Sequence, residues 1–150
     1  MLAGPGVAGS ARLAAMFRTA AVLLLASLLL AACNGAPAPQ EPGVCFRAQP
    51  GAAGKVSFAP LARDVGTLES CAVLLEALRL QGAPEVDGAY QGYFIFVGTD
   101  AMTSALHTGG VRYPIFQPPQ RRAIDRDIRR LLAERGGKMP DPSDFRLEHQ

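Results

Sequence analysis

The stretch TLESCAVLLEALRLQG, Thr67 to Gly82, decides the fold. Leu68, Cys71, Ala72, Leu75 and Leu78 recur at helical spacing, and Val73, Leu74, Ala77 and Leu80 widen that stripe. Only Glu69, Ser70, Glu76 and Arg79 are clearly polar within the turns. A surface helix carries an apolar stripe little wider than about 100°. This one exceeds it, which predicts a helix largely buried against a sheet. Thr67 suits its N-cap, Glu69 complements the positive end of the dipole, and Gly82 suits the stop.

The flanking segments supply the sheet. VCFRA, Val44 to Ala48, alternates apolar and polar positions as a half-buried strand does. QPGAAG reads as a turn, and KVSFAPL resumes the alternation through Val56 and Phe58. Pro60 has no amide to donate and is expected to end that ladder. In AYQGYFIFVG the aromatic and branched run Tyr93 to Val97 has the composition of a central strand covered on both faces. TDAMTSALH reads as a short helix capped by Thr99 or Asp100, or as loop, and VRYPIF as a strand whose Pro114 belongs at an edge.

The last element is PPQRRAIDRDIRRLLAERGG, with Ile124, Ile128, Leu131 and Leu132 on one helical face. Asp125–Arg129 and Arg130–Glu134 form pairs one turn apart, and Gly136 ends the helix. KMPDPSDFRLEHQ follows as a loose tail. The order predicts a small α+β domain over 44–136, with a mainly antiparallel sheet and two main helices packed on one side, before a tail over 137–150.

Upstream, VLLLASLLLAAC poses a different question. From Ala20 to Ala32 there is no charge and no polar side chain except Ser27. The run falls short of the roughly 20 residues that cross a bilayer and fits the middle of a secretory signal, with Arg18 as its positive flank. Leu30-Ala31-Ala32-Cys33 resembles the lipobox of bacterial prolipoproteins. The resemblance implies a signal peptide over 1–32, cleavage between Ala32 and Cys33, and a diacylglycerol on the Cys33 sulfur with acylation of the new amine. Its partner would be the lipid bilayer, and its place the cell envelope, facing the periplasm. In that family Asp after the cysteine favours inner-membrane retention, so Asn34 favours the outer membrane. An ordinary secretory signal cut after Ala32 would instead leave Cys33 a plain thiol. Met16 is expected as the true start, because MFRTAAVLLLASLLLAAC already has the compact form of such a leader.

NGAPAPQEPG, Asn34 to Gly43, has prolines at 37, 39 and 42 and nothing obvious to bury. With Cys33 it reads as a tether over 33–43, extended at about 3.1 Å per residue where polyproline-like.

The formal net charge is +2, but Arg12 and Arg18 would leave with the leader and the basic residues would then equal the 13 acids. Such neutrality argues for no nucleic-acid partner. Once Cys33 is acylated, Cys45 and Cys71 remain as an even pair in an oxidising compartment. A disulfide between them would contribute about 3 kcal/mol. The alternative is two buried thiols packing as small hydrophobes.

Chemistry is scarce. His107 and His149 are the only histidines. No His-Glu-x-x-His, no Gly-x-Ser-x-Gly and no phosphate-cradling glycine loop is present, so no catalytic residue and no cofactor are expected. Cys45, Cys71 and His107 fall short of a four-ligand structural metal site. An enzyme would need His107 beside Cys45 or Cys71, in apolar patterns that solvate a thiolate poorly. Asp125 and Asp127 point apart around a helix, at about 100° per residue, so they cannot share one substrate and read as part of a solvated face. Arg121, Arg122, Arg126, Arg129 and Arg130 could meet anionic headgroups or a partner, at about 1 kcal/mol per basic residue, or simply face water. Tyr90, Tyr93, Phe94 and Phe96 could form a sugar-stacking platform if one sheet face were open, or strand core.

The order KVSFAPL, then LEALRLQG closing a helix, then YFIFVG is similar to that of SPOR domains. That resemblance implies a ferredoxin-like fold and peptidoglycan binding. The chain departs from the family in its extra Cys45 strand, its lack of the aromatic-Val-Gln opening and its final helix, and no binding residue carries over. The expected function is non-catalytic: a lipid-anchored envelope protein whose periplasmic domain binds or scaffolds. Peptidoglycan or another protein of an envelope complex is the expected partner.

Overall fold

The computed structural model describes residues 36–145. The segment read as a leader, its expected cleavage position at Ala32, and Cys33 lie outside the described residues, as does His149. Six strands and two helices follow one another: β1 Cys45–Pro50, β2 Val56–Ala62, α1 Leu68–Leu80, β3 Val86–Tyr90, β4 Tyr93–Val97, β5 Met102–Ala105, β6 Tyr113–Pro114 and α2 Pro118–Glu134. They form one sheet in the order β2-β1-β3-β4-β5-β6, antiparallel throughout. This is the expected α+β class.

Helix α1 forms where its capping and apolar pattern place it. Thr67 Oγ1 accepts the Ser70 amide at 3.1 Å, and the seven residues Cys71–Ala77 are all buried. Two full turns hidden on every side need cover from two directions. The sheet supplies one, with Leu74 and Leu75 against Val86, Ile95, Val97 and Met102. Helix α2 supplies the other, with Ile128 against Val73 and Ala77. Cys45 of β1 and Cys71 of α1 are bridged, with alpha carbons 5.3 Å apart, so the helix is stapled to the sheet it covers.

Gly88 of β3 is the point of closest approach. A Cβ there would collide with the Phe46 carbonyl oxygen and the Leu75 side chain, so only glycine lets α1 settle onto the sheet. The chain crosses from β2 to β3 through α1 with β1 between them, which is one split β–α–β unit. A ferredoxin-like fold has two.

Several segments depart from the sequence reading. β3 is a strand in its own right, joined to β4 by a two-residue turn. Gln91 and Gly92 take positive φ of 46° and 86°, and Tyr90 pairs with Tyr93, the geometry of a type I′ hairpin. TDAMTSALH holds neither short helix nor loop alone, because Met102–Ala105 forms β5. Pairing with β4 and burial of Met102 and Ala105 outweigh the local preference. Strand β2 runs past Pro60 to Ala62, since β2 is an edge and the missing amide costs no ladder bond on its open side. A register shift opposite Cys45/Phe46 absorbs the extra residue there.

The segment read as a tether and the segment read as a loose tail both touch the domain. Ala38 is buried with Val44, Phe46, Ala89 and Phe94 on the sheet face away from the helices, and the Pro39 carbonyl accepts the Gly92 amide at 2.8 Å. Small apolar Ala38 had a covered aromatic surface to fill. Beyond α2, Arg135 pairs with Asp144 at 2.6 Å, while Met139 and Phe145 pack on the Val73–Ala77–Ile128 cluster. Among the described residues no helix is long and apolar enough to cross a membrane.

Two outcomes follow from this packing. Gly88→Ala should lower the unfolding free energy by about 1–3 kcal/mol, read as a shift in the urea midpoint, because neither the backbone oxygen nor Leu75 has room to move. Tyr90 is buried and its hydroxyl donates to the Val65 carbonyl at 2.6 Å. Burial, aided by the Glu69 charge, raises the Tyr90 hydroxyl above its ordinary value. The folded protein therefore holds that proton more tightly than the unfolded chain does. Its contribution is complete below the ordinary tyrosine value near 10 and is lost as pH climbs through the raised one. Tyr90→Phe should flatten the alkaline limb of a stability–pH curve and cost about 1 kcal/mol at neutral pH.

Candidate functional site

Helix α1 lies over β1, β3 and β4, and the sheet continues beyond it through β5 and β6. On the helix side of that extension Met102 of β5 is buried in the core under α1, whereas Ser104 of β5 is half-buried and Tyr113 of β6 exposed. Ile95 of β4 lies opposite Ser104 of β5, and Ser104 lies opposite Tyr113 of β6, so Tyr93, Ser104 and Tyr113 share this face. With Leu106, His107, Gly110 and Val111 of the β5–β6 loop they line a groove of about 360 Å³. Tyr113 is 63% exposed and Val111 70%, far more than an aromatic or branched side chain needs for folding alone. The groove's polar groups are the Ser104 hydroxyl, the His107 imidazole and two phenols. It can hold an amphipathic ligand by stacking and hydrogen bonding.

Of the aromatics read as a sugar platform, only Tyr93 reaches this groove. Strand alternation separates the rest. Tyr90 is buried beneath the helix, Phe94 points to the opposite face, and Phe96 lies there half-buried under the Arg112 guanidinium, 3.8 Å from its ring centroid. Leu106, Val111 and Tyr113 were not singled out from sequence. Their one signal is apolar residues flanking a Thr-Gly-Gly turn, where solvent exposure is expected.

His107 has no thiol to activate. Cys45 and Cys71 are fully buried and joined to each other, so the Cys–His arrangement is not assembled. Among the described residues no group of three or more His, Cys, Asp or Glu side chains could hold a metal. A wider depression of about 480 Å³ lies at the other end of the sheet, lined by Arg47, Lys55, Glu85 and Asp87 of mixed charge and by no aromatic side chain. Partial burial raises the Asp87 carboxyl, which Arg112 opposes and Glu85 reinforces.

The arginines of α2 divide. Arg121, read as a surface contact, is 5% exposed. It lies 3.2 Å from the fully buried Glu76 carboxylate, reaches Asp125 at 3.1 Å and donates to the Gly98 carbonyl at 2.9 Å. Arg79 completes the group with two 2.7 Å hydrogen bonds to Glu76, and these raise its already high pKa. A carboxylate hidden in α1 must be matched by cations, and Arg121 is consumed in that task. Arg130 pairs with Asp127 at 3.2 Å in the open, where such a pair contributes little. Arg122, Arg126 and Arg129 are exposed, share one helical stripe and make no ion pair among the described residues.

No family model, no curated protein and no solved structure matches this chain. The site therefore rests on its own geometry.

The division of the arginines has a measurable consequence. Arg121→Ala should lower stability by about 2–3 kcal/mol, since Glu76 keeps only Arg79. The same change at Arg122, Arg126 or Arg129 should stay within about 0.5 kcal/mol in urea titration.

Proposed function

We propose that this chain is a lipid-anchored envelope lipoprotein, held by acyl chains on Cys33, whose domain works by non-covalent binding through the β4–β5–β6 groove. Leu30-Ala31-Ala32-Cys33 supports the anchor. The observation that carries the binding role is the groove itself, where exposed tyrosines and aliphatic side chains surround the Ser104 hydroxyl and the His107 imidazole. The lipobox reading places the domain in the periplasm, with Asn34 favouring the outer membrane. Two acyl chains or more, at about 0.8 kcal/mol per buried methylene, would hold it durably.

A second reading is favoured by the tyrosines. Tyr93 and Tyr113, with Ser104 and His107 between them, offer stacking faces and hydrogen-bonding groups to a peptidoglycan strand.

Intact-mass measurement on protein extracted from membranes tests the anchor. The expected mass is that of a polypeptide beginning at Cys33 plus diacylglycerol and an acyl chain, and Cys33→Ser should accumulate an unprocessed precursor. A mass equal to bare polypeptide would reject it. Co-sedimentation with purified peptidoglycan, abolished by Tyr113→Ala, is the expected outcome of the second reading.

A further inference from the structure

Among the described residues five large apolar side chains stay exposed, and four of them, Tyr93, Leu106, Val111 and Tyr113, gather at one end of the sheet. The fifth, Val56, sits at the opposite end. It pairs with Pro50 at the close of β1, whereas Cys45 at the start of β1 pairs with Tyr90 beside the hairpin turn. Phe94 pairs with Ala105, so Leu106 continues at the level of Tyr93, and the β3–β4 turn and the β5–β6 loop project from the same end.

The chain also enters the domain there. The Pro39 carbonyl is fastened to the Gly92 amide in the β3–β4 turn, and Glu41 pairs with Arg63 at 2.8 Å nearby. Five residues separate Cys33 from Pro39, six backbone steps that can span roughly 20 Å at full extension. The docking of Ala38 and Pro39 thus shortens the leash and fixes which end of the sheet it leads to.

We propose that this end of the sheet rests in the interfacial layer of the bilayer that holds the Cys33 acyl chains, with Tyr113, Leu106 and Val111 as its contacts. The inference rests on the proposed acylation of Cys33 and deepens the binding role of the groove by naming its occupant. Tyrosine has an apolar ring and a polar tip and suits the headgroup level, and Leu106 and Val111 suit the layer just beneath it. The loop 106–111 carries no Asp, Glu, Lys or Arg. Arg112 folds back onto the Phe96 ring, and Glu41 and Arg63 neutralise each other. Asp64 and Glu69 stand exposed near the start of α1 at this end, which holds the contact to the headgroup boundary rather than the hydrocarbon core. Helix α2 begins at the other end of β4, where Arg121 binds the Gly98 carbonyl, and so starts on the side away from lipid.

The chain contains no tryptophan, so one introduced indole reports one place. Leu106→Trp, Tyr113→Trp and, as control, Val56→Trp are made in the full chain and purified in the processed form from membranes. Each is reconstituted into phosphatidylethanolamine–phosphatidylglycerol vesicles with and without lipids brominated in the acyl chains. For a side chain seated about 5–10 Å into the headgroup boundary, quenching at 106 and 113 should exceed that at 56 by about twofold or more. Equal, weak quenching at all three positions, with the protein still floating with the vesicles, overturns the contact and leaves the anchor standing. Failure to float overturns the anchor and the contact together. An indole at 113 that responds to peptidoglycan fragments but not to brominated lipid overturns the contact in favour of the glycan.

Discussion

A helix with no face left for water is the constraint on which this domain depends. Seven successive residues of α1 are buried, and the sixth of them is a glutamate, Glu76. Hydrophobic burial can hold such a helix only if both sides are covered, and Glu76 can stay charged only if cations are delivered to it. The sheet covers one side through Leu74 and Leu75. Helix α2 covers the other, and its Arg121 arrives at Glu76 in the same act. Polar and apolar demands are met by one docking event, which ties the placement of α2 to a single carboxylate.

The rest of the architecture follows from seating α1 firmly. Gly88 lets the helix approach β3, and the Cys45–Cys71 bridge holds it over β1. A crosslink spanning 26 positions contributes about 3 kcal/mol by restricting the unfolded chain, a substantial share for a domain this small. The 13-residue α1 is centred on β1, β3 and β4 and shares its core with β5 through Met102. The rest of that face, at Tyr93, Ser104 and Tyr113, is left as the groove.

Much of this was legible in the chain. The excess apolar width of Thr67 to Gly82 announced a buried helix, Tyr93 to Val97 an interior strand, Pro114 an edge, and the even pair Cys45 and Cys71 a bridge. Each of these rests on local periodicity or simple counting. β3 and β5 were not legible because VDGAY and MTSA are short and weakly patterned, and become strands only when β4 is there to pair with them. Arg121 looked like its neighbours Arg122 and Arg126 on a charged helix. Its burial depends on a glutamate 45 positions earlier, a relation no local pattern encodes. Ala38 and Phe145 likewise dock onto surfaces that exist only after the sheet and helices have assembled.

By itself the sequence determined what each segment could bury: a helix with an unusually wide apolar face, an aromatic strand, and paired cysteines. Those are properties of side chains at fixed spacing along a backbone with two soft torsions per residue. Only the tertiary structure decided which arginine would be hidden, which aromatics would face water, and where the chain would enter the sheet. Such choices turn on contacts between residues distant in sequence. Their free energies exist only once the partners have been brought together.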